Sequence, residues 1–172
     1  YCAVVRTRIL DQWREVIAGK LGTSEYLDFT RKTAAMGEFN VAYLLDNSGY
    51  YIEPEITVST GHAIDYRAET VEAATLAEVT RPTPTSKRTA GTPIAAVRDT
   101  ARTKSNGQLR AHGGEIVLFV DCSSFPDNEW RQIIAERPSV HHQPAVVYRL
   151  RPSGHVSGYM NGDVPLELSD IG

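Results

Sequence analysis

The sequence predicts an α/β (α+β) domain, a central mixed β-sheet flanked by helices. Helical 3.6-residue periodicity returns several times along its 172 residues. Between Tyr50 and Thr80, short strand-like segments follow one another with no helix between them. Further on, "EIVLFVDCS" is apolar without alternation, the pattern of a strand covered on both faces.

The elements follow in order. Val4 to Ala18 reads as a helix with Val5, Ile9, Trp13, Val16 and Ile17 on one face, broken by Gly19 and Gly22. A second helix starts at Thr23-Ser24-Glu25, with Ser24 as its cap, and runs to about Asp46 before Asn47-Ser48-Gly49. "YYIEPEITVS" is a strand in which Pro54 marks an edge or a bulge. "GHAIDYRAETVEAATLAEVTRP" holds two more strands, joined by a turn near Glu69 to Glu72. Residues 81–93, "RPTPTSKRTAGTP", form a mobile basic loop. A helix from about Ile94 to Ala111 ends at Gly113-Gly114. After the buried strand, Asp127 or Asn128 caps a helix through Glu136, and "AVVYRL" is a further strand. "HVSGYM", Asn161-Gly162 and "VPLEL" form a terminal hairpin. The order is α-α-β-β-β-α-β-α-β and then a hairpin, in a single domain over residues 1–172.

Bulk composition narrows the function less. The chain is 41% apolar and 23% charged, with a formal net charge of −3. Nothing global marks a nucleic-acid or membrane protein, so any such contact must come from a local patch. Cys2 and Cys122 make neither a disulfide framework nor a metal-spaced pair, which fits a cytoplasmic location. No apolar run approaches the ~20 residues of a membrane helix. The chain opens on Tyr1, which leaves room for a fused partner domain; a homodimer is equally compatible.

Several charged residues fall on faces that should be buried. Glu38 shares its helix face with Val41, Ala42 and Leu45. Asp65 and Glu78 sit among apolar neighbours on adjacent strands, and Thr80 faces the same side as Glu78. An unpaired buried carboxylate costs several kcal/mol, so each needs a cation, a metal or hydrogen-bond donors. On the later helix, Lys104 and Gln108 share the spacing of Val97 and Ala101. The lysine could simply snorkel to solvent, or it could reach those carboxylates or a substrate phosphate. Salt bridges between helix and sheet would account for the acids; hard oxygen ligands for Mg²⁺ would account for them as well. His141, His142 and His155 have no nucleophile motif around them, and "GTP" at Gly91 lacks the Lys of a phosphate loop.

Taken in order, these residues resemble the PD-(D/E)XK nuclease superfamily, the restriction-endonuclease-like fold. "MGEFNVAYLLDNSGYYIEPE" resembles its Glu-bearing helix and first strand. "AIDYRAE" resembles the Pro-Asp strand, with Ile64 in place of proline, and "LAEVTRP" the Glu-X-Lys strand. "ARTKSNGQL" and "GEIVLFVD" resemble the next helix and strand, so the likeness covers Ser24 to Asp121. It implies a nuclease hydrolysing phosphodiester bonds with Mg²⁺ or Mn²⁺, acting on nucleic acid, DNA first. Asp65, Glu78 and Glu38 would then be metal ligands. The lysine position holds Thr80, so the resemblance implies either that Lys104, with Gln108 beside it, has taken the role or that the site is inactive. Arg81, Lys87, Arg88, Arg98, Arg102 and Arg110 form a basic stripe suited to phosphates. The alternatives are an inactive nuclease-like module that binds nucleic acid or a partner protein, and a plain interaction domain.

Overall fold

The computed structural model describes residues 29–58, 61, 63–84, 91–110, 112 and 116–171, the side chains of 29–33 excepted. The expected helix over Val4 to Ala18 and the Ser24 cap lie outside these residues, as do Lys87 and Arg88. The order is α1 (Phe29–Asn47), β1 (Tyr51–Thr57), β2 (Ala63–Glu69), β3 (Ala74–Thr80), α2 (Pro93–Asn106), β4 (Ile116–Asp121), α3 (Asp127–Glu136), β5 (Ala145–Leu150) and β6 (Val156–Asn161). The α/β reading holds: one six-stranded mixed sheet in the order β1-β2-β3-β4-β5-β6, with helices on it.

The three N-terminal strands pair antiparallel, β3-β4 and β4-β5 pair parallel, and β5-β6 closes antiparallel. A parallel pair needs a crossover, and α2 and α3 supply the two crossovers on one face of the sheet. Every residue of β4 and β5 is buried, as the lack of alternation in "IVLFVD" and "AVVYRL" demands. Two apolar layers result. Val41, Leu44 and Leu45 of α1 pack on Tyr66, Ala77, Val79, Phe119 and Tyr148, and Leu166, Leu168 and Ile171 complete this layer. Val97 and Ala101 of α2 and Ile133 of α3 pack on Leu118, Val120 and Val147 on the other side.

Local chemistry sets the boundaries. Thr92 caps α2 by accepting the Ala95 N–H at 3.1 Å, and Pro93 takes the first-turn position where its missing N–H costs nothing. The helix stops at Asn106, short of the expected Ala111; Gly107 and Leu109 N–H groups close on the Thr103 and Lys104 carbonyls. At α3 the N-cap is Pro126 without a side-chain bond, not Asp127 or Asn128. Asp127 is drawn instead to Arg149 and Arg151, at 2.8 and 2.9 Å.

The terminal hairpin is corrected as well. It is β5-β6, and "VPLEL" is not a strand. Leu166 and Leu168 are buried against the α1 layer, and the Glu167 and Ser169 N–H groups bond to the Tyr50 and Ser48 hydroxyls at 2.8 and 3.2 Å. The tail thus finds a ready apolar layer with two anchors and gains nothing by pairing with β6. Among the described residues, no helix is long and apolar enough to cross a membrane.

Candidate active site and its surroundings

The β2-β3 ladder runs from Glu69↔Ala74 to Tyr66↔Ala77 and stops one residue before Asp65 and Glu78. From there the backbone N–H groups are taken by side chains. The Val79 N–H donates to Asp65 Oδ2 at 2.8 Å, and the Asp65 N–H donates to Glu78 Oε2 at 3.1 Å. A buried N–H must find an acceptor, and here carboxylates replace the carbonyls of the ladder. Both acids sit where the ladder ends, with Glu78 on the sheet face covered by α2.

Lys104 completes the arrangement. Its Nζ lies 2.5 Å from Glu78 Oε1, with 24% of the lysine side chain and 1% of the glutamate side chain exposed. The expectation that Lys104 lies inward on α2 is met, and it reaches a carboxylate rather than solvent. Gln108, just beyond the helix, donates from Nε2 to the Ala63 carbonyl at 2.9 Å, tying the end of α2 to the start of β2. Thr80, Thr100, Thr103, Lys104 and Gln108 line a cleft of about 370 Å³. Thr80 and Lys104 therefore share one cavity.

The electrostatics of Glu78 follow from this geometry. Burial raises its carboxyl, and the like charge of Asp65 raises it further. The Lys104 ammonium and the Asp65 N–H pull it back, leaving it at about 7. Glu78 thus changes charge near neutrality, where a surface glutamate would be fully ionised.

Glu38 is half-buried on α1. Its charge raises the buried Tyr66 hydroxyl, as do those of Asp65 and Glu55, with burial the larger cause. Glu38 thus lies on the α1 side of the sheet, in the neighbourhood of Tyr66. Among the described residues, no three His, Cys, Asp or Glu side chains are grouped so as to hold one ion. Sequence patterning does not single out Glu55. It falls opposite Asp65, between the pairs Pro54↔Tyr66 and Ile56↔Ile64, with φ at 54°. Pro54, amid alternating acids, is the available signal of an irregularity there.

The basic stripe is divided. Arg81 turns to the α1 face, where its Nε lies 3.5 Å from Asp121 Oδ2, with 13% of its side chain exposed. This corrects its assignment to a phosphate surface: the two-residue period of β3 puts it opposite Glu78. Asp121 is fully buried; it also accepts from Asn40 Nδ2 at 2.9 Å and from the Ser123 N–H at 2.8 Å and hydroxyl. Burial raises the Asp121 carboxyl, while Arg81 and Ser123 oppose that shift. Sequence patterning misses this buried network too, because Asp121 ends an apolar run and reads as a strand terminus. Pro82 and Pro84, at the start of the expected loop, are buried; residues 85–90 lie outside the described residues. Arg98, Arg102 and Arg110 are exposed, and Arg102 bonds Asp99 at 2.9 Å.

A family described as "Family of unknown function (DUF5784)" matches residues 1–168. The chain belongs to DUF5784. No curated protein matches this DUF5784 member. Among solved structures it is similar to a chain of the CdiA-CT/CdiI toxin and immunity complex from Burkholderia pseudomallei. That likeness has 16% identity and a TM-score of 0.48, over 81% of this chain and 93% of the other. It is also similar to Pyrococcus furiosus SfsA in complex with Ca²⁺, at 13% identity and a TM-score of 0.27, over 76% and 62% of the two chains. Likenesses at these scores assign no chemistry to the DUF5784 chain, whose own residues must carry the reading.

Proposed function

We propose that this protein is a metal-dependent nuclease of restriction-endonuclease-like architecture that hydrolyses phosphodiester bonds of DNA or RNA. One observation carries the reading: Asp65 and Glu78 share the opening of the β2-β3 ladder, and the Lys104 ammonium sits on Glu78. The donor set suits Mg²⁺ or Mn²⁺. Both groups are hard carboxylate oxygens, and Mg²⁺ is commonly held by one or two carboxylates with water and substrate phosphate filling the rest. Burial of Glu78 beside a like charge also makes a site that a cation would relieve.

In this reading Asp65 and Glu78 hold the ion, and Glu38 adds negative potential around it. A bound divalent cation would supply Lewis acidity and lower the pKa of bound water. The chain's own residues do the rest. Lys104 takes the role of the lysine replaced by Thr80, orienting the attacking water and offsetting charge on the phosphate. The Thr80 and Thr100 hydroxyls offer hydrogen bonds to substrate oxygens in the cleft, and Gln108 keeps the end of α2 registered against β2. Arg98, Arg102 and Arg110 meet the flanking backbone, and Lys87 and Arg88 add two further cations to that role.

A second reading is an inactive module that binds nucleic acid or a protein partner. Its support is specific: Thr80 stands at the lysine position, and Lys104 in its ion pair already neutralises Glu78. The deciding experiment is cleavage of single- and double-stranded DNA and RNA with Mg²⁺ or Mn²⁺, comparing wild type with Asp65→Asn and Lys104→Ala. Cleavage lost in both variants supports the enzyme. A wild type that binds but never cuts supports the module.

A further inference from the structure

The last turn of α2 has two sides. Thr103, Lys104 and Gln108 face the cleft just described. Asn106, Leu109 and Arg110 line a second and larger groove of about 700 Å³, closed on its far wall by His141, His142 and Gln143. Leu109 is buried, and among the described residues the remaining lining groups are amides, the Ser105 hydroxyl, imidazoles and a guanidinium, with no carboxylate. That is a donor-rich lining with a fixed positive charge.

The far wall is built in place. His142 is 5% exposed, and its ring is held by Nε2 at 2.7 Å from the Ile116 carbonyl; the carbonyl can only accept, so Nε2 carries the hydrogen. Asn161 Nδ2 donates to the Val140 and His142 carbonyls at 3.3 and 3.2 Å. The Tyr159 hydroxyl donates to the Pro138 carbonyl at 2.8 Å. A loop pinned at these carbonyls presents His141 and Gln143 at little further entropic cost. On the opposite wall, a helix C-terminus ordinarily repels anions. Here the Thr103 and Lys104 carbonyls are already bonded by the Gly107 and Leu109 N–H groups, and Arg110 adds a cation.

The geometry points to this groove as a phosphate-binding subsite that holds a nucleic-acid strand beyond the cleavage cleft, with Arg110, His141 and Gln143 as its contacts. Exposed Arg98 and Arg102 continue the line along α2 toward it, in steps of four residues to Asn106. Each step rises about 6 Å along the helix. The strand assignment rests on the nuclease reading above; the anion site stands on its own lining.

Two measurements separate these. In the first, inorganic phosphate is titrated into the whole protein while the imidazole proton resonances of His141 and His142 are followed by NMR. They shift saturably in wild type and in Lys104→Ala. The saturable shift disappears in Arg110→Gln/His141→Ala, where the surviving His142 resonance is read. Both residues are exposed, so the variant keeps its fold. Unmoved wild-type resonances, or an unchanged His142 response in the variant, overturn the site. In the second, single-stranded DNA and RNA are bound across a salt series. The variant binds roughly tenfold more weakly, the scale of one charge-assisted hydrogen bond. Its log–log salt slope falls by about 0.7 for each phosphate it no longer neutralises. It also raises KM for a long strand more than for a dinucleotide. Equal affinity and slope with either polymer overturn the strand assignment even where phosphate binds. A protein that cleaves nothing but shows the slope change keeps the subsite and loses the nuclease reading.

Discussion

Asp65 and Glu78 hydrogen-bond to each other's strands. Asp65 takes the N–H of Val79 and Glu78 takes the N–H of Asp65, so each carboxylate fastens the strand opposite it. The same acids that open the ladder hold its ends together. A substitution at either one therefore acts on structure and on chemistry, and tests must separate the two.

Charge pairing is separable by a double-mutant cycle. Lys104→Met leaves Glu78 buried without its cation and destabilises the fold on the order of 2 kcal/mol, limited because the carboxyl can protonate instead. Glu78→Gln/Lys104→Met recovers much of that loss, giving a coupling of about 1–2 kcal/mol. Urea unfolding of the four proteins measures it. Additive losses would mean that the ion pair contributes nothing to stability. For activity, Lys104→Ala should cost about 10²–10³ in rate.

The pH dependence has a definite sign. Glu78 rises from an ordinary 4.5 to about 7 in the folded protein, through burial first and Asp65 second. Between those values the native state binds the proton more tightly than the unfolded chain. The contribution of this group to stability therefore falls as pH rises from 4.5 to about 7, and is level above and below that window. Glu78→Gln removes this slope. Unfolding free energies taken at intervals across and just above that window read it directly.

Divalent cations give a linked outcome. Ionised Glu78 is the ligand form, so Mg²⁺ should raise the melting temperature more at a pH about one unit above the Glu78 value than one unit below it. At ten times its Kd the gain is about 1.4 kcal/mol, or roughly 3–5 °C. Asp65→Asn abolishes the shift. A shift equal at both pH values, or retained in Asp65→Asn, places the cation elsewhere.

Arg81 belongs to the interior. Arg81→Ala strands the fully buried Asp121 and should cost about 3 kcal/mol. Arg81→Ala/Asp121→Asn should restore part of it. Neither variant should change the salt slope of nucleic-acid binding, which Arg98→Ala/Arg102→Ala should lower. A reduced slope in the restored double variant would return Arg81 to the phosphate surface.

Gly158 permits the close approach of β6 to β5. A Cβ there would meet the Val147 carbonyl oxygen and stand 3.0 Å from Tyr148 Cα, both parts of a fully buried strand. Gly158→Ala should destabilise by about 1–3 kcal/mol, measurable as a lowered denaturant midpoint at unchanged m-value.

The sequence by itself determined the kind of sheet and the faces of its elements. Unalternated "IVLFVD" and "AVVYRL" required cover on both sides. The spacing of Val97, Ala101 and Lys104 turned the lysine inward, and the two-residue period put Glu78 and Thr80 on one side. These are properties of a single helix or strand, set by its own repeat. Only the tertiary structure decided what each face meets. That the ladder stops at Asp65, that Lys104 stops at Glu78, and that Asp121 gathers Asn40, Arg81 and Ser123 are relations that no single element's repeat contains. "VPLEL" looks like a strand because its apolar residues alternate, yet alternation fits any segment that buries every second side chain. A free apolar layer and two hydroxyl acceptors claimed it before a strand edge could. Periodicity records which side of a segment avoids water; the partner on that side is chosen by the packing of the whole chain.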